Sequence, residues 1–405
     1  MNDARDFDRF WVGQTLSGLG DAFSIVAVPL MALEATRSVE RMGLLTALAA
    51  AAHVTAGLVA GAVAARFERR PLMVACDLAR AALWLGLAVL WRVRGPSFAP
   101  LAFVAALSAF AGNLFQVEAV SAVPMLVAPE RLAAANGRLQ GGYAAMFFVG
   151  PWAAGELCER FGASVGVAVD ALSFLASAAS LLAVRRTLSD APGTSRDDAP
   201  TLPTAVRFLW RNRRLRALTL LLAASSFLLA SRENLLVYFI KNTLRASDAA
   251  VGRVFAVASL GAVAGAALAR WSRSRVGFAA SWTGAGVLVG AALAAVSAVE
   301  SRPALGACVF AVALGDSVRS VNALTLQQQS VPARLLGPVT AASQVLLTVP
   351  AVVGAWASAA FAATFDEGAT LAATGVLLVG LMGVGLFTPL REAGGRVQGF
   401  RGSVV

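Results

Sequence analysis

The chain is poor in the residues that build metal sites and disulfide frameworks. Its 405 residues include one histidine and three cysteines, Cys76, Cys158 and Cys308, which fall within or at the ends of hydrophobic segments. An odd number of scattered cysteines predicts neither a disulfide framework nor a zinc site. The sequence also lacks a Walker loop or another glycine-rich phosphate cradle, which a nucleotide-driven pump would need. We therefore expect neither an enzyme nor a bound cofactor.

Charged residues are scarce as well. They make up 14% of the chain, against roughly 25% in an ordinary soluble domain. Hydrophobic residues make up 58%, and the mean hydropathy is +0.71. A soluble chain of this length would need polar helix faces, which most of the apolar segments lack. The composition predicts an integral membrane protein in contact with lipid.

The net charge of +11 comes from 34 basic residues, all arginine except Lys241. Such a charge can indicate nucleic-acid binding, but these arginines lie between apolar runs rather than along one helix face. We therefore expect them to set membrane topology, with no nucleic-acid partner.

Apolar segments of about 20 residues, long enough to span a bilayer, occur twelve times. Their centres lie near residues 22, 54, 82, 111, 149, 174, 229, 260, 287, 315, 350 and 379. The first is too long for a signal-peptide core, so we expect it to remain as a helix. The long polar segment 185–216 divides the twelve into six and six. This predicts a bundle at 1–184, a basic cytoplasmic linker at 185–216 and a second bundle at 217–405.

The basic residues also predict the orientation. With the N-terminus inside, the cytoplasmic segments hold more than twice as many basic residues as the opposite loops. By the positive-inside rule, both termini are expected on the cytoplasmic side of the cell (plasma or inner) membrane.

The second half of the chain repeats part of the first. Residues 57–70 align with residues 261–274, and eight of the 14 positions are identical. In both copies a Gly-xxx-Gly pattern at the end of a helix is followed by an Arg-aromatic-x-Arg turn. Residues 149–155 and 349–354 show a second, weaker similarity. Two similar halves in the same order predict an all-α protein with two parallel six-helix bundles around a central cavity, as in secondary transporters.

A chain of six plus six helices with a basic central loop and repeated halves resembles the major facilitator superfamily over essentially its whole length. Four local patterns resemble its drug:proton antiporter branch, which includes macrolide-efflux and enterobactin-export proteins. In chain order they are Phe10-Trp-Val-Gly-Gln-Thr-Leu-Ser-Gly-Leu-Gly-Asp21, Pro129-Glu-Arg-Leu-Ala-Ala-Ala-Asn136, Asp170-Ala-Leu-Ser-Phe174 and Val331-Pro-Ala-Arg-Leu-Leu-Gly337. The resemblance implies proton-coupled export of amphipathic or hydrophobic small molecules by a monomer, with the proton-motive force as energy source.

The turn between the second and third spans resembles the superfamily signature Gly-xxx-Asp-Arg-x-Gly-Arg-Arg. The resemblance implies a gating role on the cytoplasmic side for five residues: Gly61, Arg66, Glu68, Arg69 and Arg70. The sequence departs from the signature, because Ala65 stands at the acidic position and Glu68 at the second glycine. Glu68 either supplies the missing charge or leaves the gate looser than in the family. The alternative is that these arginines only enforce topology.

The fifth span contains Gly150, Pro151 and Gly155, similar to the Gly-Pro motif of the antiporters. A mid-span proline removes one backbone hydrogen bond and bends the helix, and the glycines admit a close neighbour. Such a bend can control the side to which the cavity opens, although proline also occurs in passive membrane helices.

Ionisable residues inside the spans cost about 2.5–3.5 kcal/mol each on insertion scales, so each indicates a function or a partner. The resemblance implies that spans 1, 4, 7 and 10 line the cavity, and each of these spans carries charge. The residues concerned are Asp21, Glu118, Arg232, Glu233, Asp316 and Arg319.

Asp21 is the leading candidate for proton coupling. Gln14, Ser17, Asp21 and Ser24 recur at i, i+3, i+7 and i+10, and so form one polar stripe that faces water or a partner. A desolvated carboxyl group there could bind and release a proton near neutral pH. The alternative is a buried aspartate that is hydrogen-bonded to a neighbouring helix.

Two further pairs of charges lie in the second half. Asp316 and Arg319 are three residues apart on one helix face and can pair, either permanently or until a proton or substrate arrives. Arg232 and Glu233 are adjacent and point about 100° apart, so one of them should reach the cavity and the other a neighbouring helix or the outer interface.

The remaining titratable residues of the spans can have either a functional or a structural role. Glu118 lies in the cytoplasmic third of its span, where a carboxylate can reach water. Asp77 and Arg80 form another i, i+3 pair, which favours gating over substrate contact. We expect a packing or capping role for Asp170, and a structural role for His53 in preference to a proton relay.

The sequence therefore predicts a proton-coupled exporter whose partners are a small-molecule substrate, protons and membrane lipids. Two alternatives remain on the same fold. One is a lipid or lysophospholipid translocator, which a basic cytoplasmic edge would suit, and the other is a transport-inactive sensor, indicated by the loss of the acidic residue at Ala65.

Overall fold

The computed structural model of the protein describes residues 2–128, 131–185, 188, 202–299 and 301–390. Within these ranges, every regular element is helical. The first half contains α1 (Asn2–Thr36), α2 (Val39–Arg66), α3 (Arg69–Arg94), α4 (Phe98–Leu126), α5 (Leu132–Phe161) and α6 (Ser164–Ala183). The second half begins with α7 (Leu202–Arg211), α8 (Arg213–Leu229), α9 (Arg232–Tyr238) and a π-helical turn (Phe239–Thr243), and continues with α10 (Asp248–Val296), α11 (Arg302–Ser330), α12 (Ala333–Thr364) and α13 (Glu367–Gly385).

The helix α10 supplies two membrane spans. At 49 residues and 1.5 Å per residue it would be about 73 Å long if straight, more than twice the thickness of the hydrocarbon core. The chain breaks at Gly277, where φ is 81°, a conformation that favours glycine. The first arm of α10 therefore covers residues 248–276, and the second arm covers residues 278–296.

Twelve spans result when the two arms of α10 are counted separately and α8, α9 and the π-helical turn are counted as one. All twelve predicted centres fall within these helices. The described part of the chain thus forms an all-α protein with twelve transmembrane helices, as the sequence predicts.

The two halves repeat one packing scheme. In the first half α2 packs against α4, and in the second half the first arm of α10 packs against α11. The repeated glycines permit the second contact: a Cβ atom at Gly261 or Gly265 would lie 2.3 or 2.2 Å from the carbonyl oxygen of Phe310 or Leu314. A side chain in either position would hold the two backbones apart.

The predicted linker is only partly described. Residues 186–187 and 189–201 lie outside the described residues, whereas α7 is a helix that packs against α8 and α12. Ala205 and Leu209 are buried against Val331 and Leu335. The end of the segment 185–216 is therefore not a polar linker, because its apolar face joins the second half. The division into bundles at 1–184 and 217–405 stays a prediction.

One contact between the halves joins α2 to α9 and α12. The side-chain amide of Asn234 donates to the carbonyl oxygen of Met42, at 3.1 Å, and to the hydroxyl group of Thr46, at 2.5 Å. A Cβ atom at Gly43 would lie 2.2 Å from the Cβ atom of Ala359, so α2 and α12 touch closely at this end.

A second contact joins the end of α5 to the start of α10. Arg253 pairs with Glu156 at 2.8 Å, and Glu159 accepts a hydrogen bond from the backbone amide of Ala249, also at 2.8 Å. Within the described residues, most hydrogen bonds that join the halves lie toward the end that carries the turns 36–39, 161–164 and 243–248. One more, from Ser259 to the carbonyl oxygen of Phe147, lies near the middle of α5. At the opposite end, where α6 ends and α7 lies, no hydrogen bond joins the halves among the described residues, which favours an opening on that side.

Candidate functional site

A polar cluster lies inside the first half, centred on Arg80 of α3. Its guanidinium group pairs with Asp21 of α1, with 3.0 Å between Nη2 and Oδ1, and lies 3.7 Å from the ring centre of Phe174. The side chain of Asp21 is 39% exposed and that of Arg80 is 13% exposed. The carboxylate of Asp21 therefore stays partly accessible, while the guanidinium group that it binds is largely covered.

Asp77 does not form the pair that its spacing from Arg80 predicts. Asp77 is fully buried, and neither of its carboxylate oxygens has a hydrogen-bond partner among the described residues. The expectation of an i, i+3 pair was wrong, because the guanidinium group of Arg80 extends across to α1 instead. Asp77 is therefore a buried carboxyl group without such a partner, whereas the side chain of Asp21, expected to be desolvated, is 39% exposed.

Asp170 of α6 completes the cluster. Its carboxylate accepts hydrogen bonds from the hydroxyl groups of Ser24 and Ser173, and the residue is 1% exposed. A Cβ atom at Gly20 would lie 2.5 Å from Oδ1 of Asp170, so only a glycine lets α1 and α6 approach this closely. Asp170 thus contacts the helix that carries Asp21, and Phe174, one turn further along α6, lies against the guanidinium group of Arg80.

The polar stripe on α1 faces α5 and α6 for most of its length. The amide group of Gln14 donates to Ser177 at 3.4 Å, and its oxygen accepts from Tyr143 at 3.2 Å. Gln14 and Ser17 are 3% and 5% exposed, and Gln14 and Tyr143 line a small cavity of about 280 Å³. The assignment of Gln14 and Ser17 to the central cavity stays a prediction. Sequence reasoning missed Tyr143 and Ser177, because only tertiary packing brings them to α1.

The arginine turn binds to α4 and α6. Arg69 donates from Nε to Glu118 at 3.1 Å, and both side chains are less than a tenth exposed. Arg70 donates to the carbonyl oxygen of Leu182 in the last turn of α6, where the helix dipole favours a cation. Glu118 thus forms a buried ion pair, which corrects the expectation that it reaches water beside the cavity.

The other residues of the turn stay at the surface. Arg66 and Glu68 are exposed, and Glu68 precedes α3 without a side-chain capping hydrogen bond. Among the described residues, Arg69 pairs with Glu118 and not with Glu68. Gly61 and Ala65 lie within α2, and their side-chain environment lies outside the described residues.

Breaking the Arg69–Glu118 pair should destabilise the protein strongly. Removing one partner of a buried ion pair typically costs about 3–5 kcal/mol, because the other charge is left uncompensated. We expect Glu118→Leu to lower the midpoint of thermal unfolding sharply in detergent, while Arg69→Met combined with Glu118→Leu recovers most of the loss. Glu68→Leu, at the exposed residue, is the matched control. Additive losses in the double variant would refute the pairing.

The Gly-Pro motif of α5 lies at the contact between the halves. A Cβ atom at Gly252 of α10 would lie 2.3 Å from the carbonyl oxygen of Pro151 and 2.8 Å from the Cα atom of Gly155. Gly150 packs on α1, where an added Cβ would lie 2.5 Å from the Cβ atom of Ala22. The motif therefore permits direct contact between the backbones of α5 and α10.

The second half holds a cationic cluster beside a cavity of about 610 Å³. Asp316 of α11 accepts from Arg232 with one carboxylate oxygen and from Arg319, at 3.2 Å, with the other. Arg319 also donates to Ser225 at 2.7 Å. Glu233 lies 3.7 Å from Arg232 and its side chain is 57% exposed, so the two adjacent residues face different surroundings.

His53 is exposed on α2, and the amide group of Asn113 donates to its backbone carbonyl at 2.6 Å. The structural role expected for His53, in preference to a proton relay, stays a prediction.

Sequence comparison identifies the family. A model described as Major Facilitator Superfamily matches residues 10–355. The chain belongs to the major facilitator superfamily. It is thus a multi-pass membrane transporter rather than an enzyme, and its fold implies a small-molecule substrate. No curated protein matches the chain.

Solved structures share the superfamily fold. The nucleoside transporter NupG (D323A mutant) superposes with a TM-score of 0.78 at 9% identity, over 96% of this chain and 99% of the other. A bacterial homologue of the iron transporter ferroportin in an inward-facing state gives 0.72 at 16%, over 94% and 98%. A bacterial homologue of the human lysosomal transporter Spinster, inward-facing and unoccupied, gives 0.71 at 17%, over 97% and 95%. At these identities the likeness is one of fold.

Proposed function

We propose that the protein exports amphipathic or hydrophobic small molecules across the cell membrane in exchange for protons, by alternating access. The observation that carries this proposal is the cluster of three carboxyl groups, Asp21, Asp77 and Asp170, around the single guanidinium group of Arg80.

The charge count in this cluster favours proton binding. One guanidinium group balances one carboxylate, and the cost of a membrane-buried charge is high. Two further carboxylates in the same site would repel each other and the first, so the cluster is most stable when it holds protons. The side chain of Asp21 is 39% exposed, while Asp77 and Asp170 are buried. Protons can therefore enter at Asp21 and be shared with the buried groups.

Alternating access is supported by how the halves meet. The described contacts hold them together at one end, and much of this seam consists of small residues such as Gly43, Gly155 and Gly252. Two similar solved structures are described as inward-facing. With the orientation predicted by the basic residues, the opening near α7 faces the cytoplasm, where an exporter would load its substrate.

The proton-motive force supplies enough free energy for this exchange. One proton crossing about 100 mV releases roughly 2.3 kcal/mol, and one pH unit adds about 1.4 kcal/mol. A total near 3.7 kcal/mol sustains a substrate gradient of a few hundredfold.

A lipid or lysophospholipid translocator is the second candidate, favoured by exposed arginines such as Arg66 at the cytoplasmic edge. A transport-inactive sensor has less support, since Glu118 supplies Arg69 with a carboxylate partner despite Ala65.

The test is proton flux in inside-out vesicles that are energised to an acid interior. Hydrophobic drugs, siderophores and lysophospholipids are added one at a time, and vesicles without the protein serve as the control. We expect compound-triggered loss of the proton gradient with a drug or siderophore. Loss of the gradient with lysophospholipids alone would favour the second candidate. No loss of the gradient with any of the compounds would contradict proton-coupled export.

A further inference from the structure

The cavity of about 610 Å³ in the second half lies between α8, α9, the first arm of α10, α11 and α12. Its volume falls in the range of small-molecule sites, about 300–1,000 Å³. Charged residues from two elements reach its wall: Arg232 from α9, and Asp316 and Arg319 from α11. It is separate from the carboxyl cluster around Arg80, which lies in the other half.

The charges on this wall do not balance. Of the described residues that line the cavity, Asp316 is the one carboxylate, and it faces two guanidinium groups. Both of its oxygens are used, one by Arg232 and one by Arg319. Glu233 lies 3.7 Å from Arg232 but is not part of the wall, and its side chain is 57% exposed. On the wall itself two guanidinium groups therefore share one carboxylate, and Glu233 balances the second positive charge from outside the wall.

The two arginines have different surroundings. Arg319 is 4% exposed, binds Asp316 and Ser225, and stacks 5.0 Å from the ring of Trp282, so it is held within the protein. The side chain of Arg232 is 22% exposed. A guanidinium group has five N–H donors, and those of Arg232 that Asp316 and Glu233 leave free are available to a ligand.

The rest of the wall is apolar with scattered hydroxyl groups. Leu222, Leu229 and Ala351 supply apolar surface, and Ser226 and Ser317 supply hydroxyl groups. Such a wall suits a ligand with an apolar body and one charged group.

We propose that this cavity binds the anionic group of an amphipathic organic anion, a carboxylate or sulfonate, through Arg232, with Asp316 and Arg319 positioning the guanidinium group. The proposal rests on the exchange function above and names the substrate class of the same transporter. In this arrangement the substrate's negative charge binds an arginine in the second half and the protons bind carboxyl groups in the first half. Substrate and proton therefore need not bind the same side chain.

The test uses two fluorescent probes that differ only in charge. Dansylglycine carries a carboxylate, and dansylglycinamide is its neutral amide; binding of each to the full chain in lipid nanodiscs is read from dansyl fluorescence. We expect the wild-type protein to bind the acid at least tenfold more tightly than the amide, because a charge-assisted hydrogen bond forms only with the acid. We expect Arg232→Gln to lose this preference and Arg232→Lys to keep part of it. Arg302→Gln, at an exposed arginine outside the cavity, is the matched control.

Three results would overturn the proposal: equal affinities of the wild type for acid and amide, tighter binding of the amide, or a preference for the acid that survives Arg232→Gln. A lack of acid binding at millimolar concentration would also overturn it. The same probes in the vesicle assay separate this proposal from the exchange function. Proton loss triggered by the amide but not by the acid would retain exchange and reject the anion site. Selective acid binding without proton movement would retain the site and count against exchange.

Discussion

Asp21→Asn should abolish proton-coupled export while leaving the fold intact. Asparagine keeps the shape of the side chain but removes the carboxylate that Arg80 contacts at 3.0 Å on the exposed side of the cluster. Without that entry point, proton and substrate movements are no longer linked. The substrate gradient should then fall from a few hundredfold to about one.

The measurement is compound-triggered proton loss together with substrate accumulation in inside-out vesicles. Asp8→Asn is the matched control, since Asp8 forms only a surface pair with Arg138 and its side chain is 52% exposed.

Asp77→Asn is a useful companion variant. It removes a buried carboxyl group that has no hydrogen-bond partner within the described part of the chain, so it should impair coupling without lowering the unfolding temperature. Unchanged coupling in Asp21→Asn would remove Asp21 from the mechanism.

Gly252→Leu should hold the two halves apart at the end where they now touch. The first atom of the new side chain would meet the carbonyl oxygen of Pro151 at 2.3 Å and the Cα atom of Gly155 at 2.8 Å. Backbone atoms cannot move aside as a flexible side chain can, so α5 and α10 must separate. We expect the variant to fold, to favour the state open at this end and to lose transport.

Cys158 provides a reporter for this separation, because it is 1% exposed and lies one turn beyond Gly155 on α5. In a background with Cys76→Ser and Cys308→Ser, a membrane-impermeant maleimide should label Cys158 slowly in the parent and faster in Gly252→Leu. Gly284→Leu is the control, because a Cβ atom at Gly284 meets nothing within 4 Å. Normal transport with a protected Cys158 would show that this contact does not control access.

The contact between α5 and α10 also shows where sequence reasoning stops. The Gly-Pro motif of α5 indicates a bend and a close neighbour, but nothing in its residues points to Gly252. A motif describes one surface, and the matching surface lies on a helix whose rotation and tilt depend on the whole bundle. The same limit applies to Glu118, whose position in α4 indicates access to water, while the fold buries it against Arg69.

By itself, the sequence determined the twelve spans, the repeat of the halves and the set of intramembrane charges, because hydropathy and helical periodicity are local properties of the chain. The pairing of those charges was decided by the tertiary structure. Spacing alone favours Asp77 with Arg80, yet the guanidinium group crosses to Asp21. An arginine side chain is long enough to contact carboxylates on different helices. Which carboxylate it binds depends on how α1, α3 and α6 are rotated against one another.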